Sequence, residues 1–181
     1  MTALPRADPH FDAERFVGTW HIVVTNYGFW KSRTDPTVTY EAMPDVDGLR
    51  AWRDTLHFRK RGFGHGVKPG TLSGVDVEIS PGRFLWRGDG LMRLIKSPWW
   101  VMMADPSGEW AVTYFGRSNV GTAPGVDVYS RRPDLSADAL DVILGSVRAH
   151  AFLKTRCGNL YATAQGGLRA DRYRLIEPNR G

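Results

Sequence analysis

Phe16-Val17-Gly18-Thr19-Trp20-His21-Ile22-Val23-Val24-Thr25-Asn26-Tyr27 is the stretch on which the reading of this 181-residue chain turns. A Gly-Thr-Trp step opens an apolar, β-branched run as long as a full strand. That composition predicts a first β-strand with a large aromatic anchored at its base. Three residues such as Gly-x-Trp recur by chance, so their weight depends on the order of elements that follows.

Behind the opening strand, 28–36 is a polar loop broken by Pro36, long enough to lie over an opening. Runs at 37–43, 49–59, 71–79, 83–87, 99–104, 109–115 and 126–131 then read as seven more strands, separated by turn signals such as Asp47-Gly48, Pro81-Gly82 and Pro106-Ser107-Gly108. The fifth has room to bend at Gly88 or Gly90. Eight strands with short connections suit an antiparallel up-and-down meander that closes on itself. The period then changes. Leu140, Ile143, Leu144, Val147 and Ala151 form one apolar stripe, Ser136 is an N-cap, Asp138 lies in the first turn, and Leu135 can staple onto Leu140. An amphipathic helix over 134–152 follows, packed on the outside of the barrel, and 160–164 can add a short ninth strand. The fold class is all-β: one domain over 11–165, with 1–10 and 166–181 as loosely packed ends.

Composition narrows the function classes. The net charge is +5, but Lys and Arg are scattered. The densest cluster, Arg59-Lys60-Arg61 before a glycine-rich stretch ending at Gly66, reads as a solvated loop, so nucleic acid is not an expected partner. Cys157 is the only cysteine, which rules out an internal disulfide, so the framework typical of small secreted domains is missing. The first ten residues lack an apolar signal core, and no run of about eighteen apolar residues occurs. A cytoplasmic location and no transmembrane segment are therefore expected. The five histidines are dispersed, no Gly-x-Ser-x-Gly elbow occurs, and neither a metal nor any other cofactor is expected.

This order of elements, with Gly18-x-Trp20 on the first strand, resembles the lipocalin family of the calycin superfamily. Met103-Ala104-Asp105 is similar to that family's second motif, although Pro106-Ser107-Gly108 replaces the aromatic that should follow. Ser130-Arg131-Arg132-Pro133 looks like the third motif, and residues 11–20 look like the opening of the bacterial lipocalins. The resemblance runs from about Phe11 to Thr163. It implies that Gly18, Trp20 and Arg131 close one end of the barrel, with the arginine lying across the indole. It also implies a cavity for a hydrophobic small molecule at the other end.

Side chains alternate along a strand, so one anchored residue orients the rest unless a bulge intervenes. Trp20 turned inward brings Ile22, Val24 and Asn26 inward. Arg131 brings in Tyr129 and Asp127, leaving Val126 and Val128 beneath the helix. The family's register adds Trp99, Val101, Met103, Ala111, Thr113 and Phe115, and on the third strand the apolar set Trp52, Leu56 and Phe58 faces in. Two functions fit such a lining. One is a carrier of a fatty acid, lipid or polyketide-like metabolite. The other is a cytosolic cyclase or isomerase that folds a hydrophobic substrate into a reactive shape, with acid or base help from Asp127 and Tyr129.

Overall fold

The structure, a computed structural model, describes residues 5–61 and 66–166. The glycine-rich loop 62–65 and the basic tail from 167 onward lie outside the described residues. A single-turn helix α1 (Ala13–Phe16) leads into β1 (Gly18–Thr25), then β2 (Arg33–Val46), β3 (Leu49–Arg61), β4 (Val67–Ser80), β5 (Arg83–Gly88), β6 (Lys96–Ala104), β7 (Trp110–Phe115) and β8 (Gly125–Ser130). Each strand pairs antiparallel with the next, and β1 pairs with both β8 and β2, which closes the barrel. Closure leaves no free edge among these eight strands, so their backbone groups are paired around the ring.

Helix α2 (Ala137–Ala149) begins where Ser136 Oγ accepts the Ala139 N–H at 3.2 Å, and it buries Ile143, Leu144 and Val147. These pack on Val126, Val128 and Val112, forming a second core between the helix and the outside of β7 and β8. The helix is shorter than expected at both ends, and Ala151 falls beyond it. A short β9 (Tyr161–Ala162) pairs with β1.

Two expectations about the leading segments change. The stretch 28–36 is not one loop: Gly28–Ser32 forms a 3-10 turn, and β2 starts at Arg33, accommodating Pro36 at a register shift between Thr34 and Thr37. Asp8 lies within the end expected to be loose. Its N–H donates to Val101 O at 2.8 Å, and its Oδ2 accepts the Ala104 N–H at 2.9 Å.

Candidate functional site

The barrel interior divides into a packed half and an open half. At the packed end, the Asp12 carboxylate caps α1 by accepting the N–H groups of Glu14 and Arg15, and this turn carries Phe16 into the barrel. Trp20 is buried beside it and donates its indole N–H to Phe16 O at 2.7 Å. The Arg131 guanidinium lies 3.6 Å from the Trp20 ring centroid. It donates to the carbonyls of Thr19, Arg15 and Val17 at 3.0, 2.6 and 3.1 Å. Gly18 makes room for it: with φ at +108°, an added Cβ would stand 3.1 Å from Arg131 Nη1. Above this floor Phe16 stacks on Trp52 at 5.7 Å, Trp52 on Phe84 at 4.5 Å and Phe84 on Trp99 at 4.4 Å. The stack fills the lower barrel.

Above the stack a cavity of about 290 Å³ remains. Of the residues expected around it, Leu56, Trp99, Thr113, Phe115, Asp127 and Tyr129 line it. Ile22, Trp52, Val101 and Ala111 do face inward, but they belong to the packed core beneath. Phe58 also belongs to that inward-facing core.

Val24 and Met103 do not face inward, because each follows a bulge. On β1, Ile22 pairs with Tyr129 but the next pairs are Val24 with Val128 and Thr25 with Asp127, so Val23 is an extra residue. The inserted residue turns Val24 toward the helix and brings Thr25 inward. On β6, Val101 pairs with Thr113 and Met103 with Val112, so Met102 is extra and Met103 packs on the helix side. Asn26 is also elsewhere. Its side chain accepts the Val126 N–H at 2.8 Å and donates to Arg156 O at 2.8 Å, tying β8 to the segment after α2.

The rest of the cavity wall comes from residues that pattern reading passed over. Tyr27, Phe29 and Trp30 reach it from the 3-10 turn and its approach, Tyr40 from β2, and Leu72 and Trp86 from β4 and β5. The Trp86 indole lies against β4, where a Cβ on Gly74 would meet its Nε1 at 2.4 Å. Asp54 also lines the cavity, and Asp76 is buried beside it. Asp54 has the same strand parity as Trp52 and Leu56, so alternation alone places it inside. Asp76 sits between Val75 and Val77 on a strand whose polarity is inverted, with the acid inward and the valines turned away.

Electrostatically this half is unusual. Asp54 and Asp76 lie within hydrogen-bonding reach of each other, and Asp76 Oδ1 accepts the Trp99 indole N–H at 2.6 Å. Burial, reinforced by the Asp76 charge, holds Asp54 well above the usual carboxylate range. Burial pushes Asp76 up to about 7, opposed by its bond from Trp99. Asp127 is likewise raised by burial to about 7, opposed by Thr25, whose hydroxyl donates to Asp127 Oδ1 at 2.5 Å. The Tyr40 and Tyr129 hydroxyls stand 3.3 Å apart, and burial raises both, with Asp127 adding to the rise at Tyr129. Asp54 Oδ1 and the indole N–H groups of Trp30 and Trp86 are buried without a partner. Such a set can donate or accept protons and hydrogen bonds near neutral pH. Among the described residues no three His, Cys, Asp or Glu side chains converge to hold a metal ion, and no helix is long and apolar enough to cross a membrane.

No family model matches the chain, and no curated protein matches it either. Solved structures do. Lobster apocrustacyanin A1 aligns with a TM-score of 0.57 at 14% identity, covering 86% of this chain and 80% of that one. Apocrustacyanin C2 gives 0.55 at 14% identity over 84% and 79%. Apocrustacyanin C1 gives 0.55 at 15% identity over 85% and 79%. Identity this low speaks for the fold alone. With its closed eight-stranded meander, the arginine laid across the first-strand tryptophan and the helix packed outside, this chain has the lipocalin fold.

Proposed function

We propose that the open half of the barrel binds one small, mostly apolar molecule that carries a few polar atoms. One observation carries this reading: in an aromatic-walled cavity of about 290 Å³, Asp54 Oδ1 and the indole N–H groups of Trp30 and Trp86 are buried without partners. Each such atom left unpaired costs about 1–3 kcal/mol, part of which a ligand of matching polarity would recover once these side chains turn toward it. The volume is at the small end of ligand pockets, so a compact lipid or polyketide-like molecule suits it better than a long-chain lipid. Cys157, free in the structure, fits a reducing compartment, and action in the cytoplasm is part of this reading. The neutral fluorophore N-phenyl-1-naphthylamine tests it. Saturable enhancement at one equivalent is expected, together with its loss in Leu72→Trp, which fills the cavity from the wall. A wild-type protein that gives no saturable signal would sink the proposal.

A second reading, chemistry on the bound molecule, is favoured by Asp127, because a buried carboxyl raised to about 7 can serve as a general acid or base at neutral pH. Tyr129, with its ring in the same wall, would position the reacting oxygen. Native mass spectrometry of the protein with its co-purified ligand, repeated after incubation, separates the two readings. Return of an unchanged molecule supports the carrier. A product of altered mass, or an isomer resolved by chromatography and no longer formed by Asp127→Asn, supports the enzyme.

A further inference from the structure

Among the described residues, the side chains that bound the cavity include the carboxyls of Asp54 and Asp127, and no lysine, arginine or histidine. Asp76 stands directly behind Asp54. All three are at least nine-tenths buried, at 6%, 5% and 0% exposure. None of them takes part in an ion pair among the described residues, whose salt bridges join Arg15 to Asp12, Arg50 to Glu78 and Arg53 to Asp89. Two arginines of the barrel are engaged elsewhere. Arg131 is committed at the packed end. Arg33 donates to Phe29 O at 2.5 Å and lies 3.5 Å from the Phe29 ring centroid. Buried carboxyls are ordinarily matched by a cation or a dense set of donors, because an isolated ionised carboxylate is poorly solvated by protein. Thr25 supplies one donor to Asp127, Trp99 one to Asp76, and Asp54 and Asp76 are within hydrogen-bonding reach of each other, which leaves Asp54 Oδ1 without a partner.

The remainder of the wall has the other property a cation seeks. Trp30, Trp86, Trp99, Phe29 and Phe115 present ring faces or edges to one small volume. Aromatic faces attract ammonium groups and are indifferent or repulsive to carboxylates. From the unmatched Asp54 oxygen, the absence of a basic side chain among the described lining residues and this aromatic wall, we infer that the cavity selects a lipophilic organic cation. The ligand is an apolar body with one ammonium group, to which Asp54 and Asp127 supply the countercharge. The inference rests on the binding reading above and narrows it: a fatty-acid carboxylate would meet two acidic side chains and no described cation in the lining.

Three probes of matched shape test it by equilibrium dialysis against the full chain: (1-naphthylmethyl)trimethylammonium, its neutral carbon isostere 1-neopentylnaphthalene, and the anion 1-naphthylmethanesulfonate. The cation is expected to bind about tenfold or more tighter than the neutral isostere, although the latter partitions better out of water, and the anion least of all. In Asp54→Asn, and further in Asp54→Asn with Asp127→Asn, the ratio of cation to neutral affinity is expected to collapse toward unity. The wild-type series decides the matter even if a variant fails to fold. Equal or tighter binding of the neutral isostere or the anion would overturn the cation preference and leave cavity binding standing. Failure of all three probes while N-phenyl-1-naphthylamine still binds would overturn it as well. If that dye also fails to bind, the binding reading falls and the preference with it.

Discussion

The two halves of this barrel are built to opposite rules. In the packed half, polar atoms are answered: the Trp20 indole meets Phe16 O, and the Arg131 guanidinium reaches three backbone carbonyls while covering the Trp20 ring. Its rings fill the space by stacking. In the open half, rings surround a void, three carboxyls are buried with few donors, and two indole N–H groups are left without partners. A chain departs from its own packing rules where something other than stability is selected. On the proposed reading, the contrast places stability at one end and recognition at the other.

The largest test of that division is Trp20→Ala. Removing a fully enclosed indole from the floor leaves a void and strips Arg131 of its ring, for an expected loss of about 3–5 kcal/mol in urea unfolding. The corresponding loss for Trp86→Ala should be visibly smaller, because Trp86 is only partly buried and already borders empty space. Equal losses at the two positions would erase the distinction between floor and wall.

The sequence made the floor easier to read than the wall. Arg131 lies more than a hundred residues from Gly18 and Trp20, yet the resemblance of their surroundings to the lipocalin motifs, in the right order of elements, is enough to bring them together. Parity failed at Val24 and Met103. The bulges at Val23 and Met102 each add one residue to a strand within a continuous apolar run, where nothing in the residue pattern marks the insertion. Asp54 was legible and was overlooked for a different reason. Choosing the inward face by counting apolar residues hides an acid of the same parity, although a polar residue in phase with Trp52 and Leu56 is the more informative signal.

A second test uses pH, and its sign follows from burial. Asp76 and Asp127 titrate near 7 in the folded barrel against about 4 in an unfolded chain, and Asp54 is raised as well. Between those values the folded state holds protons that the unfolded state has released. Stability contributed by these groups is therefore fullest near pH 4, declines as pH rises toward 7, and levels off above. Asp127→Asn removes one titration, so at pH 8 the variant should be more stable than the wild type by about 1–3 kcal/mol, with a smaller difference at pH 5. Melting temperatures across that range measure it. Trp20→Ala, by contrast, should be destabilised at every pH. A wild-type stability that rises between pH 5 and 8 in parallel with Asp127→Asn would remove the buried acids from the account.

The smallest effect is expected at Thr25, where the open half is tied together as the closed half is. Its hydroxyl accepts the Tyr27 N–H at 2.9 Å and donates to Asp127 Oδ1 at 2.5 Å, joining the wall-lining segment to the acid beneath it. Thr25→Val keeps the shape and removes both bonds, at a cost of about 1 kcal/mol. The more telling readout is the carboxyl of Asp127, followed by carbon NMR. The bond from Thr25 favours the ionised form, so its loss should move the titration midpoint upward from the wild-type value near 7. The direction separates two accounts of the open half. An upward move means that Thr25 restrains a burial effect left otherwise unopposed, which is the condition a ligand would relieve. A midpoint that stays or falls means that water or another donor already serves Asp127, and the contrast between the two halves would then be one of packing alone.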